Sequence, residues 1–183
     1  MSYQENYQKW VDFAELPDYL RQDLENMDEK TKEDAFYTNL EFGTAGMRGL
    51  IGAGTNRINI YVVRQATEGL ARLIESKGGN EKERGVAIAY DSRHFSPEFA
   101  FESAAVLAKH GIKSYVFESL RPTPELSFAV RHLNCFAGIM ITASHNPAPF
   151  NGYKVYGEDG GQMPPHDADA VSYTHLTLPT KRI

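Results

Sequence analysis

The chain has 183 residues, 42% of them hydrophobic, which suits one compact domain with a real core and an extra segment. Lys plus Arg number 19 against 24 Asp plus Glu, a formal charge of −5 at pH 7 that argues against general nucleic-acid binding and leaves room for a local basic pocket. One cysteine, Cys135, excludes an internal disulfide and reads as a small core residue, and the polar, acidic start and lack of any apolar run near ~18 residues make a cytoplasmic location the expectation.

Residues 1–40 are charged and helical in pattern, with segments at 7–13, 17–26 and 31–40 whose aromatic and leucine residues need a partner surface. They are expected to form an N-terminal cap on the domain. The stretch EFGTAGMRGLIG, with glycines at 43, 46, 49 and 52, then reads as a structured loop. Val63, Ala66, Leu70, Leu73 and Ile74 mark a helix over 61–77, closed by Gly78 and Gly79. VAIAY predicts a buried strand at 86–90, with Asp91, Ser92 and Arg93 at its carboxyl end. Ser96 and Pro97 start a helix over 97–110, and Gly111 ends it. A strand at 114–117, a helix at 124–132 and an apolar strand at 135–141 follow. This alternation predicts βαβ units and an α/β domain with a largely parallel sheet covered on both faces. Ligands in such domains sit outside the carboxyl ends of the strands. The polar groups at 91–93, 121–124 and 142–146 all fall there. The end of the chain, GEDGGQMPPHDADA followed by VSYTHLTLPTKRI, offers no helix to complete another unit.

The segment GIMITASHNPAPFNGYKVYG carries the chemistry. A serine directly after a buried strand can be held exposed and act as a nucleophile or a phosphoryl carrier. Asn146-Pro147 restrains the turn behind Ser144. The segment matches neither the hydrolase elbow GxSxG nor the P-loop. Two readings stay open from local sequence: a polar turn that caps the next element, or a catalytic, phosphate-carrying loop with His145 beside the serine. Lys154 either reaches water or points at the loop, where its ammonium would assist proton transfer or meet phosphoryl charge. Arg48 is the other cation available, and the backbone N–H groups of residues 43–49 are a candidate anion nest.

The motifs FGTAGMRG, AYDSRHFSPEFA, RPTPEL, TASHNP and FNGYK, in this order, resemble the α-D-phosphohexomutase family, bacterial phosphoglucomutases and phosphomannomutases in particular. The likeness runs from the N-terminus to about Ala170. It implies a three-layer α/β/α domain with a mixed, mostly parallel sheet, the first domain (41–170) of a longer enzyme, behind the 1–40 cap. Ser144 matches the serine phosphorylated in the resting enzyme, which exchanges its phosphoryl group with a hexose 1- or 6-phosphate through a hexose 1,6-bisphosphate that also serves as activator. His145 matches the catalytic residue after the phosphoserine, which supports the loop or the substrate phosphoryl group, Asn146 matches a residue that fixes the loop, and Arg48 and Lys154 match catalytic residues that handle the hydroxyl proton. Thr142, Gly43, Thr44, Gly46, Asp91 and Arg93 are expected to support substrate or loop. The resemblance implies Mg²⁺ bound to the phosphoryl group on Ser144 and to aspartates of a DGDGDR-like loop in a second domain. The partners implied are small-molecule hexose phosphates and domains II–IV of the parent chain, with no nucleic acid and no membrane.

Departures from the family pattern bear on activity. No DGDGDR-like loop occurs in the 183 residues, nor do the sugar-recognition and phosphate-gripping loops of the later domains. The chain is therefore expected to be inactive alone. Residues 171–183 leave the pattern and resemble a translated adaptor read-through, with a divergent natural tail as the alternative. The motifs are poor at naming the sugar: glucose leads, with phosphomannomutase or phosphopentomutase specificity, or a non-catalytic sugar-phosphate-binding module, as alternatives.

Overall fold

The computed structural model describes residues 2–43 and 46–163. Thr44 and the proposed non-native tail at 171–183 lie outside the described residues.

Three helices open the chain: α1 (Tyr3–Val11), α2 (Asp18–Glu25) and α3 (Glu29–Phe36). α1 and α3 begin and end earlier than the apolar periodicity implies, for reasons of capping, while α2 matches its expected bounds to within one residue at each end. The Ser2 side chain accepts from Glu5 N while the Glu5 carboxylate accepts from Ser2 N, a capping box that starts α1 at Tyr3. Asp28 accepts from Thr31 N and starts α3. Beyond Phe36 the chain leaves the helix because Leu40 N donates to Thr55 O. Trp10, Leu20, Leu24, Phe36 and Tyr61 form a separate small core, with Trp10 edge-on to both Phe36 and Tyr61. Tyr61 belongs to the next long helix, so the N-terminal helices are anchored on the α/β domain itself.

That domain is built from β1 (Met47–Leu50), α4 (Ile60–Lys77), the short α5 (Glu81–Arg84), β2 (Val86–Tyr90), α6 (Ser96–Lys109), β3 (Ser114–Val116), α7 (Thr123–His132), β4 (Ala137–Ile141) and β5 (Phe150–Tyr156). The strands form one sheet in the order β1-β5-β4-β2-β3. β2 pairs in parallel with β3 and β4, while β5 pairs antiparallel with β4 and β1. The three strands and three helices expected between residues 61 and 141 are present, in one sheet. α4 and α6 pack on one face around Ile88, Ile139 and Tyr153, and α7 packs on the other around Ala87, Ala89 and Met140. The result is an α/β/α domain with a mixed sheet. Among the described residues no helix is long and apolar enough to cross a membrane.

Two differences from the expectation matter for the site. The glycine-bearing segment does not stay a loop: residues 47–50 add an edge strand, β1, against β5. Its brevity and the glycine at 49 hide the alternation that would reveal it. β4 starts at Ala137, two residues later than expected, because Cys135 N closes the turn after α7 on Val130 O.

β5 fits between β4 and β1 only because Gly152 lacks a side chain. A Cβ there would stand 2.5 Å from Thr142 O and 2.8 Å from Met47 O, backbone atoms on both sides. Gly152→Ala is therefore expected to destabilise the domain by about 2–3 kcal/mol, since neither neighbour is a side chain that can rotate away. Equilibrium denaturation checks this, and an unchanged midpoint would contradict it.

Candidate active site at the carboxyl end of β4

β4 ends at Ile141, and the chain turns at once. Thr142 is buried, and its N–H donates to Gly152 O, so β5 still grips the first loop residue. Its hydroxyl oxygen accepts from Ser144 N at 2.9 Å. Asn146 N then donates to Ala143 O, closing a turn whose first central residue is Ser144. Ser144 has φ +57, and His145 is not among the positive-φ residues. Positive φ is a conformation in which glycine is the usual occupant. A serine held there costs roughly 1–2 kcal/mol. The strain has a geometric consequence: Ser144 and His145 are exposed at the rim while Thr142 and Ala143 stay buried. The Ser144 hydroxyl lies 3.4 Å from His145 Nδ1, too long for a strong O–H···N bond.

The loop is fixed from outside by one guanidinium. Arg93 Nη2 donates to Ser144 O (2.8 Å) and Asn146 O (2.6 Å), and Nη1 donates to Pro147 O and Phe150 O (2.9 Å each). Asp91 stands behind it, with Oδ2 3.4 Å from Arg93 Nε and Oδ1 accepting from Arg93 N. The position of Asp91 is in turn set by its N–H donating to Ile141 O at the end of β4. Four carbonyls are thus gathered on one guanidinium, which fixes the course of the loop from Ser144 to Phe150.

Two cations approach from β1 and β5. Arg48 Nη1 donates to Asn146 Oδ1 at 2.9 Å, which places it two residues from Ser144. Lys154 pairs with Met140, whose side chain belongs to the α7 face, so Lys154 projects on that face. Arg48 lies opposite Gly152, two residues before Lys154, and projects the same way. α7 packs on β2 and β4, and of β5 the buried Tyr156 belongs to the same cluster, two residues beyond Lys154. Desolvation lowers the Lys154 pKa below the ordinary lysine value, and the neighbouring Arg48 charge lowers it further. Gly46, at φ +92, makes room: a Cβ there would lie 2.5 Å from Tyr153 O and 3.0 Å from Lys154 Cγ. Gly43 and Gly46 exchange backbone hydrogen bonds at 3.1 Å.

The structure thus brings Ser144, His145, Thr142, Asn146, Arg48, Asp91 and Arg93 into one connected set. Lys154 shares a face of the sheet with Arg48. Two residues of the set escape a reading of the sequence. Asn151 is fully buried and donates to His94 O and Ser96 Oγ, and Ser96 donates to Asp91 Oδ1. A polar residue beside the glycine of FNGYK is the available signal for the first. Ser96 reads from sequence only as the start of α6.

The donor set also bears on Mg²⁺. Among the described residues no group of three His, Cys, Asp or Glu side chains is placed to hold a metal ion. Asp91, the acid tied to the loop, is engaged with Arg93 and Ser96. The described residues therefore do not make a metal site by themselves.

The family profile "Phosphoglucomutase/phosphomannomutase, alpha/beta/alpha domain I" matches residues 39–177. A protein named phosphoglucomutase from Staphylococcus epidermidis (strain RP62A) is 45% identical over 168 residues, covering 91% of this chain and 30% of that protein. Another, from Staphylococcus aureus (strain bovine RF122), is 50% identical over 132 residues, covering 72% of this chain and 23% of its own length. The crystal structure of a putative phosphomannomutase from Thermus thermophilus superposes with a TM-score of 0.67 at 33% identity, covering 75% of this chain and 30% of that one. The chain thus spans about a third or less of the length of the relatives it matches. With a profile match over most of its residues, on a sheet and loops of the matching architecture, this chain belongs to the phosphoglucomutase/phosphomannomutase family.

Proposed function

We propose that this chain is the phosphoserine-bearing part of an isomerase that interconverts hexose 1-phosphate and hexose 6-phosphate through a hexose 1,6-bisphosphate, with glucose the preferred sugar. The observation that carries the reading is Ser144 itself: an exposed serine in a left-handed backbone conformation, at a strand's carboxyl end, with Arg48 held two residues away. The naming of the curated relatives as phosphoglucomutases favours glucose.

In this reading Ser144 carries the phosphoryl group in the resting enzyme. A hydroxyl of the hexose phosphate attacks the phosphorus, the new P–O bond forms and the bond to Ser144 Oγ breaks. The proton of the attacking hydroxyl passes to a base, and Ser144 Oγ, exposed at the rim, takes one proton from water as its bond to phosphorus breaks. Lys154 fits the acceptor role, because burial and the neighbouring Arg48 charge lower its pKa. The Arg48 guanidinium meets the negative charge on the transferring group. Arg93 holds the carbonyls of Ser144 and Asn146 and so keeps the turn that carries Ser144 in one conformation. The bisphosphate then turns over and returns its other phosphate to Ser144. Binding the rest of the sugar falls to the parts of the parent chain beyond this one.

The test is a coupled assay with glucose 1-phosphate and catalytic glucose 1,6-bisphosphate, run on the parent enzyme and on these 183 residues alone. The parent is expected to turn over glucose 1-phosphate faster than mannose or pentose 1-phosphates. The isolated chain is expected to show no turnover. A parent inactive on every sugar phosphate would overturn the reading, and turnover by the isolated chain at the parent's rate would overturn the need for the other domains.

A further inference from the structure

The Asn151 side chain bonds to His94, Ser96 and Gly152, and it stands at the head of a continuous set of hydrogen bonds that ends at the Ser144 turn. Its Nδ2 group spends both hydrogens, one on His94 O (3.0 Å) and one on Ser96 Oγ (2.9 Å). Its Oδ1 accepts from Gly152 N at 2.8 Å, locking the amide orientation. Because the Ser96 hydroxyl accepts from Asn151, its own hydrogen is directed to Asp91 Oδ1 at 2.9 Å. Asp91 takes two donors on that oxygen, Ser96 Oγ and Arg93 N, and presents the other to Arg93 Nε. Arg93 then holds the carbonyls of Ser144, Asn146, Pro147 and Phe150. Every donor has one acceptor direction, so the set has one arrangement rather than several.

Asn151 and Ser96 are both fully buried. Purely apolar residues at these places would serve the core as well, so the polarity calls for a reason beyond packing. The backbone supplies one. Phe95, between His94 and Ser96, has φ +62, a left-handed conformation that a bulky aromatic rarely adopts. Its ring stacks with those of Tyr19 and Phe99, at centroid distances of 5.0 and 6.0 Å. Together with the Asn151 bond to His94 O, this stacking holds the turn in place. The 91–96 turn and the 143–146 turn are thus two strained segments joined by one arginine, and Asn151 fastens the first of them to β5.

We propose that Asn151, acting through Ser96, Asp91 and Arg93, is a positioning residue that sets the Ser144 turn for phosphoryl transfer. The inference rests on the reading of Ser144 as the phosphoryl carrier. Its test combines a readout that needs no activity with one that does. In the parent enzyme, Ser96→Ala removes the hydroxyl from the set while suiting the first turn of α6, and Ser96→Thr keeps it. Backbone amide chemical shifts of residues 144–146 are compared in the unphosphorylated protein, and kcat and KM for glucose 1-phosphate are measured beside them. Ser96→Ala is expected to shift these amides and to lower kcat about tenfold with KM within about twofold, in line with a small misplacement of a reacting group. Ser96→Thr is expected to restore both. Asn151→Ala repeats the test from the other end of the set if Ser96→Ala does not fold. Unshifted amides with an unchanged kcat would overturn the proposal, as would a shift that leaves kcat untouched. If Ser144→Ala keeps full turnover while the amides still respond to Ser96→Ala, the phosphoryl-carrier reading fails and with it the catalytic half of this one, whereas the structural coupling stands.

Discussion

Replacing Ser144 by alanine in the parent enzyme is expected to remove mutase turnover, by on the order of 10⁴-fold or more. The loss is that large because no other side chain in the turn can take the phosphoryl group. Thr142 is buried and its hydroxyl oxygen accepts from Ser144 N. His145 is exposed, but a phosphoramidate there would sit on a ring displaced from the serine oxygen by 3.4 Å. Stability separates this effect from damage to the fold. Ser144 makes no core contact, being exposed at φ +57. Ser144→Gly relieves the left-handed cost and loosens the unfolded chain, two effects of about 1 kcal/mol and opposite sign. Its melting temperature is therefore expected to match or slightly exceed that of the unmodified enzyme while activity is lost. Activity lost together with several degrees of melting temperature would point to a structural role for the serine instead.

Lys154→Met is the second large expected effect, a fall in kcat of about 10²-fold with substrate binding largely kept. Methionine matches the stem that packs along β5, so what is removed is the ammonium. The pH dependence carries the sign of the argument. Burial and the Arg48 charge hold the Lys154 pKa below its ordinary value in the folded protein. Between that lowered value and the ordinary one near 10.5, the unfolded chain binds more protons than the folded one, so stability gains as pH rises through the interval. In Lys154→Met that contribution to the alkaline rise should disappear. In activity, kcat of the unmodified enzyme should climb as Lys154 loses its proton, and the variant should lack the climb. A variant with an unchanged pH profile and unchanged kcat would leave Lys154 as a lysine that merely reaches water.

How much of this is legible in the sequence differs from element to element. β2 and β4 are short, wholly apolar runs that stop at polar residues, so both strands and the loops at their ends can be read directly. The helices α4, α6 and α7 carry their own proline and glycine boundaries or an apolar stripe. β1 and the antiparallel insertion of β5 cannot be read. Their pairing depends on Gly152 passing between the carbonyl oxygens of Thr142 and Met47, one near in sequence and one far, a fact of three-dimensional fit. The same holds for the site. Ser144, Arg48 and Lys154 are visible as residue types in suggestive places. The destination of the Arg93 guanidinium, on carbonyls far downstream, is not, because no local rule links an arginine after one strand to a turn after another. The positive φ of Ser144 is hidden as well, since serine gives no local hint of a conformation that glycine usually takes.

The most direct measurement is tandem mass spectrometry of the parent enzyme after incubation with glucose 1,6-bisphosphate, resolved to the peptide that contains TASHNP. The account predicts one phosphate on Ser144, lost when glucose 1-phosphate or glucose 6-phosphate is added and the enzyme is trapped mid-reaction, and absent from an inactive Ser144→Ala variant. Normal turnover with Ser144 never phosphorylated, or with the phosphate on another residue, would contradict it.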